Sequence, residues 1–163
     1  MDKLLRVAVG CVFLTPLQAD RSFAKGWHGI VPLRSTRADV ARLYKRLTGA
    51  SLFGVGLPGD SFNIIGEGMV GIQYSLGRCV EGWKVKKDTV VRVSVHLTNP
   101  VPFADMRAEL ENLPRSEDDA GALYYWNDMD GIQYVIQDER VTSITYGVNE
   151  DDERSLACQK ARY

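Results

Sequence analysis

The chain has 163 residues, of which 45% are hydrophobic and 25% are charged, and its formal net charge is -1. This length and composition are typical of one globular domain with its own core, and two full domains would not fit. Because the chain has no overall excess of Lys and Arg to neutralise phosphates, its charge does not support a nucleic-acid-binding function.

The amino terminus has the features of an export signal. A basic segment precedes the mostly apolar stretch Val7 to Leu17, and small and polar residues follow it. This order predicts a signal peptide over residues 1–24, with cleavage after Ala19 or Ala24. The apolar stretch is shorter than the roughly 20 residues that a transmembrane helix needs. We therefore expect a periplasmic or secreted domain over residues 25–163 with no transmembrane segment after processing, the alternative being a buried N-terminal strand or helix.

Two cysteines, Cys79 and Cys158, follow the predicted signal peptide. In an oxidising compartment an isolated pair is expected to form a disulfide, because nothing there keeps thiols reduced. The bridge would tether the C-terminal tail to the middle of the domain. The alternative is two unpaired, buried thiols.

The first half of the domain is predicted to form a helix and then strands. Thr36 and Asp39 fit a capping box. Apolar residues at i, i+3, i+4 and i+7 then share one helical face, namely Val40, Leu43, Tyr44 and Leu47. Alternation of apolar and polar residues predicts strands around residues 61–65, 70–76 and 91–97.

The second half repeats this order. A helix is predicted over residues 102–110, with proline in its first turn. Strands are predicted at residues 123–126, 132–137 and 141–148. The sequence Gly-Ile-Gln-Tyr occurs at residues 71–74 and again at 131–134, in the middle strand of each half. We predict an α+β fold, an antiparallel sheet with helices on one face, built as a tandem helix-plus-β-meander repeat over about residues 30–99 and 100–150.

Two short motifs match ligand-binding patterns in some residue types, but they lack the context or the ligands that those sites need. Gly54 to Gly59 matches the dinucleotide-binding pattern, but a helix precedes it and Pro58 lies inside it, so a flexible loop is favoured. Asp128-x-Asp130-Gly131 resembles the start of a calcium loop, yet Gln137 occupies the position of the bidentate carboxylate. A hairpin turn is the better interpretation, and we expect neither a metal nor a cofactor.

The sequence contains no recognisable hydrolase signature. Only His28 and His96 are available as bases at neutral pH, and His96 is on the polar side of its strand, where a surface position is favoured. Catalysis by paired carboxylates stays open, because such residues come from distant positions. The acidic run 149–153 fits a solvated loop or a helix start. We expect a non-enzymatic domain; the alternative is an enzyme or small-ligand carrier with a pocket near His28 and the Gly54 to Gly59 loop.

The aromatic residues of one predicted strand suggest a surface. Tyr124 and Trp126 point to one side of the strand while Tyr125 points to the other, so large aromatic groups must lie off the helix-packed face. Two explanations are open: a second small core or cover from the C-terminal tail, and a protein-binding surface. The protein-binding hypothesis adds three polar strand positions on that side, Gln73, Arg92 and Gln133.

Residues 30–47, with the segment Ser-Thr-Arg-Ala-Asp-Val-Ala-Arg-Leu at 35–43, resemble the helix-opening motif of the SmpA/OmlA and β-lactamase-inhibitor-protein-like superfamily. The chain looks closer to uncharacterised exported bacterial proteins that open with Trp-x-Gly-Ile-x-Pro-Leu-x-Ser-Thr-Arg-x-Asp-Val. The resemblance implies a tandem helix-plus-meander fold and binding of an envelope or secreted protein through the sheet, without chemistry. It assigns no individual binding residue.

Overall fold

A computed structural model describes residues 24–46, 51–53, 59–80 and 82–158. The predicted signal peptide, apart from Ala24, lies outside the described residues, as do Leu47 and residues 54–58 of the glycine-rich segment. The described elements, in chain order, are α1 (Arg37–Tyr44), β1 (Ser51–Phe53), β2 (Gly59–Ile64), β3 (Gly68–Tyr74), β4 (Val90–Pro102), α2 (Phe103–Leu110), β5 (Arg115–Glu117), β6 (Leu123–Asn127), β7 (Ile132–Gln137), β8 (Arg140–Tyr146) and α3 (Glu150–Leu156).

The strands form one antiparallel sheet in the order β1-β2-β3-β4-β8-β7-β6-β5. β4 and β8 pair at the centre, and each half of the sheet runs outward to its own first strand at an edge. If β1–β4 are exchanged with β5–β8, the same order is obtained when the sheet is read from its other edge. The two helix-plus-meander units are therefore related by a pseudo-twofold arrangement. The predicted α+β fold is confirmed, and the helix-plus-meander order occurs twice.

Each meander has four strands where the sequence predicts three. The additional strands, β1 and β5, are three residues long, which is too short for an alternating pattern to be recognised. β4 is also longer than predicted, because after a register shift its last residues still pair with β8. β4 leads directly into α2, and Pro102 occupies the N-cap position of that helix instead of its first turn.

Helices α1 and α2 cover the same face of the sheet. Residues directly opposite each other in antiparallel strands point to the same face. One apolar row can thus be followed across the sheet, through Val70, Val95, Ile144, Tyr134 and Tyr125. Val40 of α1 packs on the first half of this face and Leu110 of α2 packs on the second. Leu97 and Tyr146 contact both halves, so the core is continuous.

Helix starts follow the capping signals in the sequence. The Thr36 backbone N–H donates to Asp39 Oδ2 at 2.7 Å, and the Asp39 N–H donates to Thr36 Oγ1 at 3.4 Å, which completes the capping box. The acidic run begins α3, where Asn149 Oδ1 accepts from the Asp152 N–H at 2.9 Å. No described helix combines the length and apolarity that a membrane span requires.

The C-terminal segment is fixed to the long connection between β3 and β4. Cys79 and Cys158 form the predicted disulfide, with their Cα atoms 5.7 Å apart. The Lys84 N–H donates to the Leu156 carbonyl at 2.8 Å, and the Cys158 N–H donates to the Gly82 carbonyl at 2.7 Å. These contacts place α3 and the residues after it beside the first unit of the repeat.

Candidate functional site

The face opposite α1 and α2, which we call the open face, carries the polar positions of the strands. Gln73 lies directly opposite Arg92, and Gln133 lies opposite both Trp126 and Thr145. Since side-chain direction alternates along a strand, Tyr124 shares this face with Trp126. The fold therefore brings all five predicted binding residues to one face: Tyr124, Trp126, Gln73, Gln133 and Arg92.

An open cleft of about 550 Å³ lies on this face. Four of the five predicted residues line it, namely Gln73, Arg92, Trp126 and Gln133. Tyr124 does not line the cleft, but its ring stacks with that of Trp126, with centroids 6.2 Å apart and planes 20° apart. The cleft volume falls within the range of about 300–1,000 Å³ that is typical of small-molecule sites.

Two further lining residues, Trp83 and Glu153, come from outside the sheet. Trp83 lies on the β3–β4 connection, where its backbone forms a bridge with Ala157, and Glu153 lies on α3. The disulfide joins these two segments, so they form one continuous wall of the cleft. Sequence reasoning missed both residues. Their proximity to Cys79 and Cys158 was the available signal, because a bridge brings the residues that flank it together.

Four polar side chains of the cleft have no partner in the part of the chain that the structure describes. Among the described residues, no hydrogen bond or ion pair holds the side chain of Gln73, Arg92, Gln133 or Glu153. Each primary amide offers both donors and an acceptor, the guanidinium offers donors only, and the carboxylate offers acceptors only. The sheet residues and α3 therefore present to the cleft a mixture of donors and acceptors that no described group engages.

The Tyr124 hydroxyl is already engaged with a turn beside the open face. It donates to Asp118 Oδ2 at 2.9 Å, and Asp118 Oδ1 accepts from the Ala122 and Ala120 backbone N–H groups at 2.9 and 3.0 Å. The Ala122 amide and then the Tyr124 hydroxyl lower the pKa of Asp118, since both bonds favour the carboxylate. The same carboxylate raises the pKa of Tyr124. The Tyr124 ring that stacks on Trp126 is thus tied to the Asp118 turn by its hydroxyl.

The segment Asp128–Gly131 forms the turn between β6 and β7, as predicted. Asp130 accepts from Asn127 Nδ2 at 3.0 Å and pairs with Lys25 Nζ at 3.0 Å, so its carboxylate is used within the structure. Within the described ranges, no group of three or more His, Cys, Asp and Glu side chains is arranged to hold a metal ion.

The two histidines lie away from the cleft. His28 is exposed, and its Nε2 lies 2.8 Å from Glu67 Oε1, while Trp27 Nε1 donates to Glu67 Oε2 at 3.2 Å. His96 is exposed on its strand, as expected. Residues 54–58 lie outside the described residues, so the alternative of a pocket between them and His28 stays untested.

No protein-family model matches the chain, and neither the curated proteins nor the solved structures contain a detectable relative. The superfamily resemblance therefore remains an expectation from the sequence. The functional argument depends on the residues themselves.

Proposed function

We propose that this protein is an exported, non-enzymatic domain that binds an envelope or secreted protein through the open face of its sheet. The observation that carries the proposal is the clustering of Tyr124, Trp126, Gln73, Gln133 and Arg92 on that face. Trp126, which stacks on Tyr124, lines the same cleft as Arg92, and Arg92 has no ion-pair partner among the described residues. Tyr, Trp and Arg are the residues that most often dominate the binding energy of protein interfaces.

The connections beside the cleft add apolar contact area. Leu76 and Val80 lie on the connection that carries Trp83, and Met129 lies on the turn that carries Asp128. Their exposed fractions are 53%, 63% and 76%. Exposed apolar residues beside a polar surface with aromatic anchors are typical of sites that bind another protein.

The export assignment has two supports. One is the order of basic, apolar and small residues over residues 1–24, and the other is the Cys79–Cys158 disulfide. Disulfides persist in oxidising compartments such as the periplasm or the extracellular space. We therefore propose a location outside the cytoplasm, with a partner in the same compartment.

The proposal is tested by cross-linking the full chain in its own cell envelope and comparing the wild type with Tyr124→Ala/Trp126→Ala. Loss of both anchors is expected to lower the yield of specific cross-linked partners by about tenfold or more. Ile65→Ala, a truncation in the β2–β3 turn at a side chain that is 77% exposed, serves as the control and should leave the yield unchanged.

Thermal unfolding of each purified variant separates a loss of binding from a loss of folding. If the double variant unfolds like the wild type and captures the same partners in equal yield, the open face is not the binding surface. N-terminal sequencing of the exported product tests the location, and an intact Met1 would contradict the predicted export signal.

A further inference from the structure

The cleft shares Trp126 with the aromatic pair, and its lining also contains groups that the proposed protein-binding set lacks. Two indole rings, those of Trp83 and Trp126, line the same space. Four polar side chains also line it: Gln73 from β3, Arg92 from β4, Gln133 from β7 and Glu153 from α3. Those side chains are free of internal hydrogen bonds among the described residues.

The charges of the lining argue against an anionic ligand. Among the described residues, Arg92 is the one cationic side chain that lines the cleft, and the carboxylates of Asp128 and Glu153 line it as well. A phosphate or polyanion site needs clustered Arg or Lys groups or convergent backbone N–H donors. A purely apolar ligand also fits poorly, because it would bury these polar groups without replacing their hydrogen bonds to water.

From these observations we propose that the cleft binds a neutral saccharide segment of one or two sugar rings. This goes beyond the proposed protein binding, because it assigns a second ligand, to the space between Trp83 and Trp126, that uses four of the same residues. A sugar ring presents apolar C–H faces that pack on an indole, and its edge carries hydroxyl groups that both donate and accept hydrogen bonds. Such a ligand needs aromatic faces together with a mixture of donors and acceptors.

The free polar groups match this need. The amides of Gln73 and Gln133 can each accept from one hydroxyl and donate to another, while Arg92 donates and Glu153 accepts. The sheet fixes the backbone positions of the two glutamines and the arginine, and the disulfide fixes the backbone of the segments that carry Trp83 and Glu153. A site that is already ordered loses less conformational entropy on binding.

The test is a fluorescence titration of the exported protein with neutral trisaccharides of glucose, galactose, mannose and N-acetylglucosamine. The chain has three tryptophans, and Trp27 is buried in the core, so a change in emission on titration reports on Trp83 and Trp126. At least one trisaccharide should give a saturable change. Inorganic phosphate, used as the anionic probe, should give none.

Two variants locate the site. Gln133→Ala should weaken saccharide binding by about tenfold through the loss of hydrogen bonds to the ligand, and Trp83→Ala should weaken it further. Gln137→Ala is the matched control, because Gln137 lies on the same strand and does not line the cleft. Gln133→Ala also keeps the test valid if Trp83→Ala fails to fold.

The proposal is overturned if no trisaccharide binds at millimolar concentration, if phosphate binds instead, or if Gln133→Ala leaves the affinity unchanged. Cross-linking of Trp83→Ala in the envelope separates this result from protein binding. Loss of saccharide binding with unchanged partner yield supports two separate ligands, whereas loss of both means that the cleft is part of the protein interface and overturns the separate saccharide site.

Discussion

The two units of the repeat differ most in the connection between their last two strands. In the first unit β3 and β4 are joined by residues 75–89, which carry Cys79 and Trp83, whereas in the second unit Asp138 and Glu139 alone join β7 and β8. The pseudo-twofold order of the strands is otherwise preserved. One enlarged connection is therefore enough to make a symmetric sheet asymmetric, and it supplies a wall of the cleft on one side only.

The largest expected effect comes from breaking the long connection of the first unit. The Cys79–Cys158 bridge has a sequence separation of 79. In the chain-entropy model a loop of this length stabilises the folded state by up to about 4.5 kcal/mol. Cys79→Ser/Cys158→Ser should therefore lower the free energy of unfolding substantially, as measured by urea denaturation of oxidised wild type and variant.

Hydrogen exchange shows which of the two units loses stability when the disulfide is removed. The amides of Lys84 and Cys158 form hydrogen bonds between the β3–β4 connection and the C-terminal segment, and they should lose protection in the double serine variant. Under conditions where the variant stays folded, the amides of β7 and β8 should keep their protection. Equal loss of protection in both units would mean that the bridge supports the whole sheet instead of the first unit's connection.

A smaller effect is expected at the β6–β7 turn of the second unit. Gly131 has a φ of +70°, and a Cβ atom there would lie 2.7 Å from the Gly147 carbonyl oxygen. Gly131→Ala should destabilise the fold by about 2 kcal/mol or more, from the left-handed backbone and the collision together. Gly121→Ala is the matched control: its φ is +80°, but the nearest atom to an added Cβ is 4.0 Å away.

Chemical denaturation of the two alanine variants measures the difference, and Gly121→Ala should cost about 1 kcal/mol from backbone strain alone. Equal losses in both variants would show that the Gly147 segment moves aside at little cost. The close approach of the two backbones at the edge of the cleft would then be adjustable.

The smallest expected effect concerns the Asp118 turn between β5 and β6. The pKa of Asp118 is lowered in the folded protein, first by the Ala122 amide and then by the Tyr124 hydroxyl. The stabilisation is therefore complete above the unfolded-state pKa and is lost as the pH falls through the lower folded-state pKa. Asp118→Asn should flatten the decline of the melting temperature below about pH 4, and Asp119→Asn is a control for the loss of one charge. Identical acid profiles for wild type and Asp118→Asn would contradict this role.

Much of the fold could be predicted because its signals are local. Thr36 and Asp39 are three residues apart and form the expected capping box. The alternation in residues 70–76 and 132–137 predicted both middle strands, although the first of them ends at Tyr74. Helix α2 begins within one residue of its expected start. The short edge strands escaped prediction because three residues hold too little periodicity, and pairing with a neighbour defines them.

The candidate site was predictable in part. Tyr124 and Trp126 were assigned to a side by the parity of their strand, and Gln73, Arg92 and Gln133 join them because each occupies the polar parity of its own strand. Trp83 and Glu153 belong to segments without a strand pattern, and contacts between distant parts of the chain bring them to the cleft. Parity along a strand could not reveal them.

The sequence by itself determined which residues of a strand share a face, where helix α1 begins, and which two cysteines pair. Each of these follows from spacings of a few residues, or from composition. Only the tertiary structure decided that β4 pairs with β8, that the two units form one sheet, and that a cleft forms beside the disulfide-bonded β3–β4 connection. The physical reason is that pairing between distant strands depends on the total apolar surface buried by the whole chain, which no local pattern encodes.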